Sequence, residues 1–177
     1  FGSHIFSDKV NAFTAETDED NSKISFNGYE GSGAYNGDVV SYKSSGSDLT
    51  ATSDAGKFSF ENITIDMVLE ATITEVLENS LYDSDTKINF TNIKFDNEER
   101  GEAVDISDLY MTLSSVVNKQ DQNASMKISY GAKVVDAGEF HGEDLVLDME
   151  INNISGKFVK AYQNHTKTLK GVSVADI

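Results

Sequence analysis

Ile63-Thr64-Ile65-Asp66-Met67-Val68-Leu69-Glu70-Ala71-Thr72-Ile73 alternates apolar with mostly polar residues over eleven positions. A period of two puts Ile63, Ile65, Met67, Leu69, Ala71 and Ile73 on one face of a single extended strand. Just upstream, Phe58 and Phe60 keep the same alternation one residue out of phase. A bulge near Glu61-Asn62 is expected to restore the register.

The same pattern recurs through the chain. Ile88-Phe90 changes phase into Ile93-Phe95, and Val104-Ile106, Leu109-Met111-Leu113, Met126-Ile128-Tyr130-Ala132-Val134 and Leu145-Leu147-Met149-Ile151 follow. Ile24-Phe26 and Val39-Val40-Tyr42 read as strands too. Between them lie turn-forming clusters: Asn27-Gly28, Asn36-Gly37, Asp54-Ala55-Gly56, Asp83-Ser84-Asp85, Asp96-Asn97 to Gly101, Asn118 to Asn123, and Asp136-Ala137-Gly138. Proline is absent, so Gly, Asn and Asp carry the turns. Short strands joined this way predict an antiparallel meander covered on one side only. Two segments have helical character. Lys157 to Leu169 sets Phe158, Val159 and Tyr162 on one side, with Ser155 as N-cap and Gly171 beyond the end. Glu75-Leu81 reads equally well as continued strand or as one helical turn.

The 177 residues suit one domain and can bury a real core. They carry 14 Lys+Arg against 30 Asp+Glu, a formal charge of -16, and the sequence pI is near 4.3. A surface that acidic repels phosphate backbones and anionic lipid heads, so no nucleic-acid partner is expected. Zero cysteines exclude disulfides, thiolate zinc sites and cysteine nucleophiles. No apolar run reaches the roughly 20 residues of a membrane helix. The start, Phe1 to Phe6, has neither a basic segment nor a long apolar one. Two readings of this start stay open: Gly2-Ser3-His4 as a vector scar, or the chain as a soluble portion of a longer precursor.

Motifs with chemistry are incomplete. Asp18, Asp20 and Asn21 offer alternate oxygen ligands but lack the Gly and distant Glu of a calcium loop, as does Asp83-Ser84-Asp85. His4, His141 and His165 are scattered and form no metal-binding spacing. Gly28-Tyr29-Glu30-Gly31-Ser32-Gly33 has glycine but no Lys or Arg, and reads as a glycine-rich hairpin rather than a phosphate loop. No GxSxG or SxxK motif is present. Five Asn-x-Ser/Thr sequons, at Asn62, Asn89, Asn123, Asn153 and Asn164, are a product of composition. No metal, cofactor or catalytic residue is assigned.

The order of residues resembles the YdgA-like bacterial envelope proteins, a group without an assigned function. The likeness runs through Leu81-Tyr82-Asp83-Ser84-Asp85-Thr86-Lys87-Ile88-Asn89-Phe90, Ile93-Lys94-Phe95 and Val104-Asp105-Ile106-Ser107-Asp108-Leu109. It continues through Leu113-Ser114-Ser115, Met126-Lys127-Ile128-Ser129-Tyr130 and Leu145 to Ile154, to the helix opening near Lys157. It covers roughly residues 25–170 and carries no catalytic residues. It implies a bacterial cell-envelope address, on the periplasmic side, with an inner-membrane anchor in the longer protein.

The expectation is thus a single β-rich domain over 1–177: a twisted antiparallel sheet or half-barrel with a C-terminal helix packed on it. The default expectation for its apolar face is a closed, packed core. The alternative is an open groove, with Ile65, Met67, Leu69, Met111, Leu113, Leu147 and Met149 as its candidate ligand-contacting residues. That face should also include Ile63, Ile73, Leu109 and Leu145. Its methionines would supply adaptable packing. The leading functional expectation is a non-enzymatic envelope domain that takes a lipid or other apolar ligand, or a protein strand at a sheet edge, a homodimer included. Its rivals are a hydrolase acting on envelope glycans through paired carboxylates, and a purely structural assembly module.

Overall fold

Strand-forming alternation extends much further than the apolar residues mark it. The computed structural model describes residues 3–17, 21–77, 81–97, 100–118, 120–159 and 161. Nine strands form one antiparallel sheet: β1 (His4–Glu16), β2 (Lys23–Tyr35), β3 (Val40–Ser53), β4 (Gly56–Glu70), β5 (Asp83–Thr91), β6 (Ile93–Asn97), β7 (Glu102–Asn118), β8 (Asn123–Ala137) and β9 (Phe140–Ser155). The strands lie in sequence order from β1 to β9, with β5 and β6 sharing the lane between β4 and β7. The sheet is open, with β1 and β9 as its edges. The expected antiparallel meander is the fold.

Each lane changes phase once, at the same rank. Ser47 pairs with Asn62 and Leu49 with Phe60, so β3 and β4 stay in step across the irregularity. The apolar face passes from Phe60 to Ile63, from Phe26 to Tyr29, from Phe90 to Ile93 and from Ile106 to Leu109, three residues on instead of two. Side chains on the two sides of this crease meet. The Phe60 and Phe90 rings pack edge to face at 5.6 Å. The position a Gly46 Cβ would take lies 3.1 Å from Phe26 and 3.2 Å from Ile63. The bulge expected at Glu61-Asn62 is thus one piece of a crease that crosses the whole sheet. Left-handed residues elsewhere along it produce the turn: Gly28, Asp48, Asn92, Asp108 and Asp144 all have positive φ. Asp, Asn and Gly are the residues that tolerate this conformation.

Several expectations are corrected. Asn27-Gly28 lies on the crease inside β2, and Gly31 and Gly33 lie in the same strand, so no glycine-rich hairpin forms there. Those two glycines leave room for neighbours: a Gly33 Cβ would strike the Phe6 ring and a Gly31 Cβ the Tyr42 hydroxyl. Asp83-Ser84-Asp85 opens β5 rather than forming a turn. Ile73 leaves the sheet for the short helix α1 (Ile73–Leu77). That helix is capped reciprocally, Glu75 N donating to Thr72 Oγ1 at 3.2 Å and Thr72 N donating to Glu75 Oε2 at 2.8 Å. A second helix opens at residues 156–159. Most of the span expected to follow, with Tyr162, Asn164, His165 and Gly171, lies outside the described residues, as does Asp18-Glu19-Asp20.

The expected closed core is absent among the described residues. Ala71, Ala124 and Ala132 are the buried apolar side chains there. The molecule exposes 12272 Å², against roughly 8,500 Å² for a compact monomer of 19.3 kDa. The substantial contacts between elements are all between neighbouring strands, and α1 reaches the sheet at its end, where Ile73 N donates to the Tyr35 hydroxyl at 3.4 Å; no second layer stacks over the sheet among the described residues.

If left-handed backbone sets the crease, Asp108→Gly should be close to neutral. Asp108→Val should cost about 1–2 kcal/mol. Urea denaturation of the two variants checks this, and equal stability would rule out the assignment.

Candidate functional site

The register sorts side chains onto two faces of opposite chemistry. On one side of the crease the apolar face is a grid of four ranks across eight strands. The first runs Val10, Tyr29, Gly46, Ile63, Phe90, Leu109, Ala132, Leu145. The second runs Asp8, Gly31, Ser44, Ile65, Ile88, Met111, Tyr130, Leu147, and the third Phe6, Gly33, Tyr42, Met67, Thr86, Leu113, Ile128, Met149. The fourth is His4, Tyr35, Val40, Leu69, Ser84, Ser115, Met126, Ile151. A rank spans seven interstrand steps of about 4.8 Å, roughly 34 Å when flat.

All seven candidate residues fall on this grid. Ile65, Met111 and Leu147 share the second rank, and Met67, Leu113 and Met149 the third. Leu69 stands in the fourth. Leu109, Leu145 and Ile63 join them in the first, whereas Ile73 does not. Met126 also lies here, so all four methionines of the chain are on one face. Exposure rises toward both edges: Phe6 is 43% and Val10 46% exposed on β1, and Leu147 59%, Ile151 54% and Met149 42% on β9.

Sequence reasoning passed over β1 and the polar groups it brings to the grid. Asp8 hides the alternation of Phe6 and Val10, and the crease then breaks it before Phe13. The three-residue skip from Val10 to Phe13 is the same one that Phe60 and Ile63 display, and it was the available signal. Tyr42 donates to Asp8 Oδ1 at 2.9 Å and shares a 2.6 Å hydrogen bond with the Tyr29 hydroxyl. The Tyr29 bond, then burial, push the Tyr42 phenol up to about 12, against a lowering hydrogen bond with Ser44 and with Asp8 adding to the rise.

The opposite face is charged. Lys9 pairs with Glu30, Lys43 with Asp66 at 2.7 Å, Lys23 with Glu16 at 2.7 Å, and Lys127 with Asp148 at 3.6 Å. Such exposed pairs contribute little each, about 0–1 kcal/mol. They solvate the face rather than hold the sheet. Along the crease this face carries an open hollow of about 800 Å³, lined by Lys43, Thr64, Asp66, Lys87, Asn89 and Tyr110 among others. The glycan-hydrolase expectation requires a carboxyl of raised pKa in a cleft. Glu30, which borders the hollow, is instead held below the ordinary range by its hydrogen bond to Lys9. On the β8–β9 hairpin, His141 is raised by hydrogen bonds first to Asp136 and then to Glu143.

Fold and faces together define a class: a single-sheet amphipathic β domain whose apolar side has no second layer among the described residues. The chain belongs to a bacterial protein family of unknown function, DUF945, whose model matches residues 1–172. No curated protein and no solved structure matches it.

Two predictions follow the two faces. On the apolar one, Leu147→Asp should cost under about 1 kcal/mol because the side chain is largely in water. Leu113→Asp, half-buried at mid-sheet, should cost on the order of 3 kcal/mol or more. Equal, large losses in denaturant titrations would mean that Leu147 is covered. On the charged face, Glu16, Glu30 and Asp148 have lowered pKa values, so their contribution is present above the ordinary 4.5 and 3.8 and is lost as the pH falls through the folded-state values. His141 has the opposite sign: its contribution is present below the ordinary 6.5 and fades as pH rises through its raised value. Thermal melts should therefore weaken at both extremes, with His141→Gln flattening the alkaline limb and Lys9→Met the acid one.

Proposed function

We propose that this domain is a non-enzymatic binding module that lays an apolar or amphipathic molecule along its uncovered apolar face. One observation carries the reading: the apolar grid has no second layer among the described residues, and its edge side chains Leu147 and Ile151 stand more than half exposed, as Val146 does on the other face of the same edge strand. An exposed apolar surface of this extent marks an interaction site on a soluble protein. Methionine enrichment suits a ligand of irregular shape. The charged face keeps the same sheet in water.

The YdgA-like resemblance supports a periplasmic address, with the domain held at the inner membrane by an anchor elsewhere in the longer protein. Fractionation of that longer protein to the cytosol would overturn this part of the reading.

A protein strand at a sheet edge is the second reading. It is favoured by β1 and β9, 13 and 16 residues long, neither of which carries a proline. Long edges of this kind accept an added strand, including one from another copy.

Native mass spectrometry of the purified protein separates the two. The groove reading expects adducts in the amphiphile mass range, reduced at least tenfold in Leu147→Asp/Met149→Asp with an unchanged circular dichroism spectrum. A discrete dimer without adducts would favour edge pairing and overturn the groove.

A further inference from the structure

Beside the crease, the charged face has a floor without charges. The register lines up Ser45, Thr64, Asn89, Tyr110 and Gly131 on five successive lanes of the sheet. They span four interstrand steps, on the order of 19 Å. The Lys9–Glu30 ion pair continues this rank at one end, and the exposed Val146 closes it at the other. The four side chains from Ser45 to Tyr110 line the open hollow of about 800 Å³, a volume in the range of small-molecule sites.

Three features set the chemistry of that floor. First, the Ser45, Thr64 and Tyr110 hydroxyls and the Asn89 amide make no side-chain hydrogen bond among the described residues. A row of donors and acceptors is therefore open along the hollow. Second, a Cβ at Gly131 would strike the Tyr110 ring, so the glycine lets that ring lie across β8. The half-buried ring offers the hollow a flat apolar surface beside the hydrogen-bonding row. Third, the charges around the floor nearly cancel. Three lysines and four carboxylates line the hollow, in a chain with 14 Lys+Arg against 30 Asp+Glu. In the next rank Asp66 stands between Lys43 and Lys87, 2.7 Å from Lys43. A ligand of either sign meets a like charge there, and a neutral ligand is opposed by neither.

A pyranose ring has a flat C–H face and a rim of hydroxyls, the complement of an aromatic ring beside open donors and acceptors. In a linear β-linked chain its length is close to one interstrand step, so successive sugars would meet successive strands. We infer that the crease on the charged face binds a linear, neutral oligosaccharide, one sugar stacked on Tyr110 and the chain running past Asn89 and Thr64 to Ser45. The inference is independent of the apolar-face reading, and it concerns binding alone, with no bond cleaved.

Titration calorimetry with cellopentaose and N-acetylchitopentaose, both neutral, tests it, with pentagalacturonate and the chitosan pentamer as the charged probes. At least one neutral sugar is expected to bind saturably, in the millimolar range or tighter, and at least fivefold more tightly than pentagalacturonate. Tyr110→Ala should weaken that sugar at least tenfold. Thr64→Val, nearly isosteric and at an exposed position, should weaken it threefold or more, and serves if circular dichroism shows that Tyr110→Ala fails to fold. Lys94→Gln, on the same face beyond the crease, should leave the affinity within twofold. Binding by neither neutral sugar would overturn the inference, as would equal binding of pentagalacturonate. Binding by the chitosan pentamer alone would mean attraction to the overall charge of -16 and would overturn it too. So would unchanged affinity in the folded Tyr110 and Thr64 variants, or a comparable loss in Lys94→Gln.

Discussion

Everything in this sheet depends on keeping apolar side chains on one face across an interruption. A β-strand alternates faces strictly, so a local irregularity sends every following residue to the wrong side. Here the sequence skips a position at the interruption in each lane, and the alternation resumes on the original face. The skip has to occur at the same rank in neighbouring strands, because cross-strand pairs on either side must still match. Phe60 against Phe90 and Phe26 near Ile63 show the match at the crease itself. Positive-φ Asp and Asn residues accept the backbone cost, which β-branched residues would not.

That constraint produces an amphipathic sheet. Lysines and their carboxylate partners fall on one face and the four methionines on the other, while branched aliphatics are divided: Ile5, Val68, Val116 and Val146 stand exposed on the charged face. Exposed ion pairs add little to stability, so cohesion comes from backbone ladders and from apolar neighbours packed across strands. A single layer of this kind leaves much of its apolar area facing outward. The same separation that lets the sheet exist in water thus leaves apolar surface facing outward, and the proposed binding role rests on it. Polar side chains break that surface at Asp8, Tyr29 and Tyr42 toward β1 and at Ser84, Thr86 and Ser115 in its middle, away from the exposed aliphatics of β9.

Legibility followed the strength of local signals. The strands β4, β7, β8 and β9 were readable because Ile, Leu and Met alternate cleanly with polar residues. The phase change at Phe60–Ile63 and Phe90–Ile93 was readable as well, though one strand at a time it looks like an isolated bulge. β1 was missed, since Asp8 occupies an apolar-face position and the crease cuts its pattern in two. Asn27-Gly28 and Asp83-Ser84-Asp85 were misread as turns. Their composition suits turns and also suits a creased or edge-proximal strand, and only long-range pairing chooses between them.

The sequence by itself determined the class, the antiparallel meander, the turns at Asn36-Gly37, Asp54 to Gly56 and Asp136 to Gly138, and the residues able to form an apolar face. Period-two alternation and turn chemistry are local, and a chain carries them in order. Tertiary structure alone decided that the face has no second layer among the described residues, that the phase changes line up into one crease, and that Asp8 meets Tyr42. Those facts depend on register between strands far apart in the chain and on what, if anything, packs above them. Neither is encoded in the spacing of neighbours.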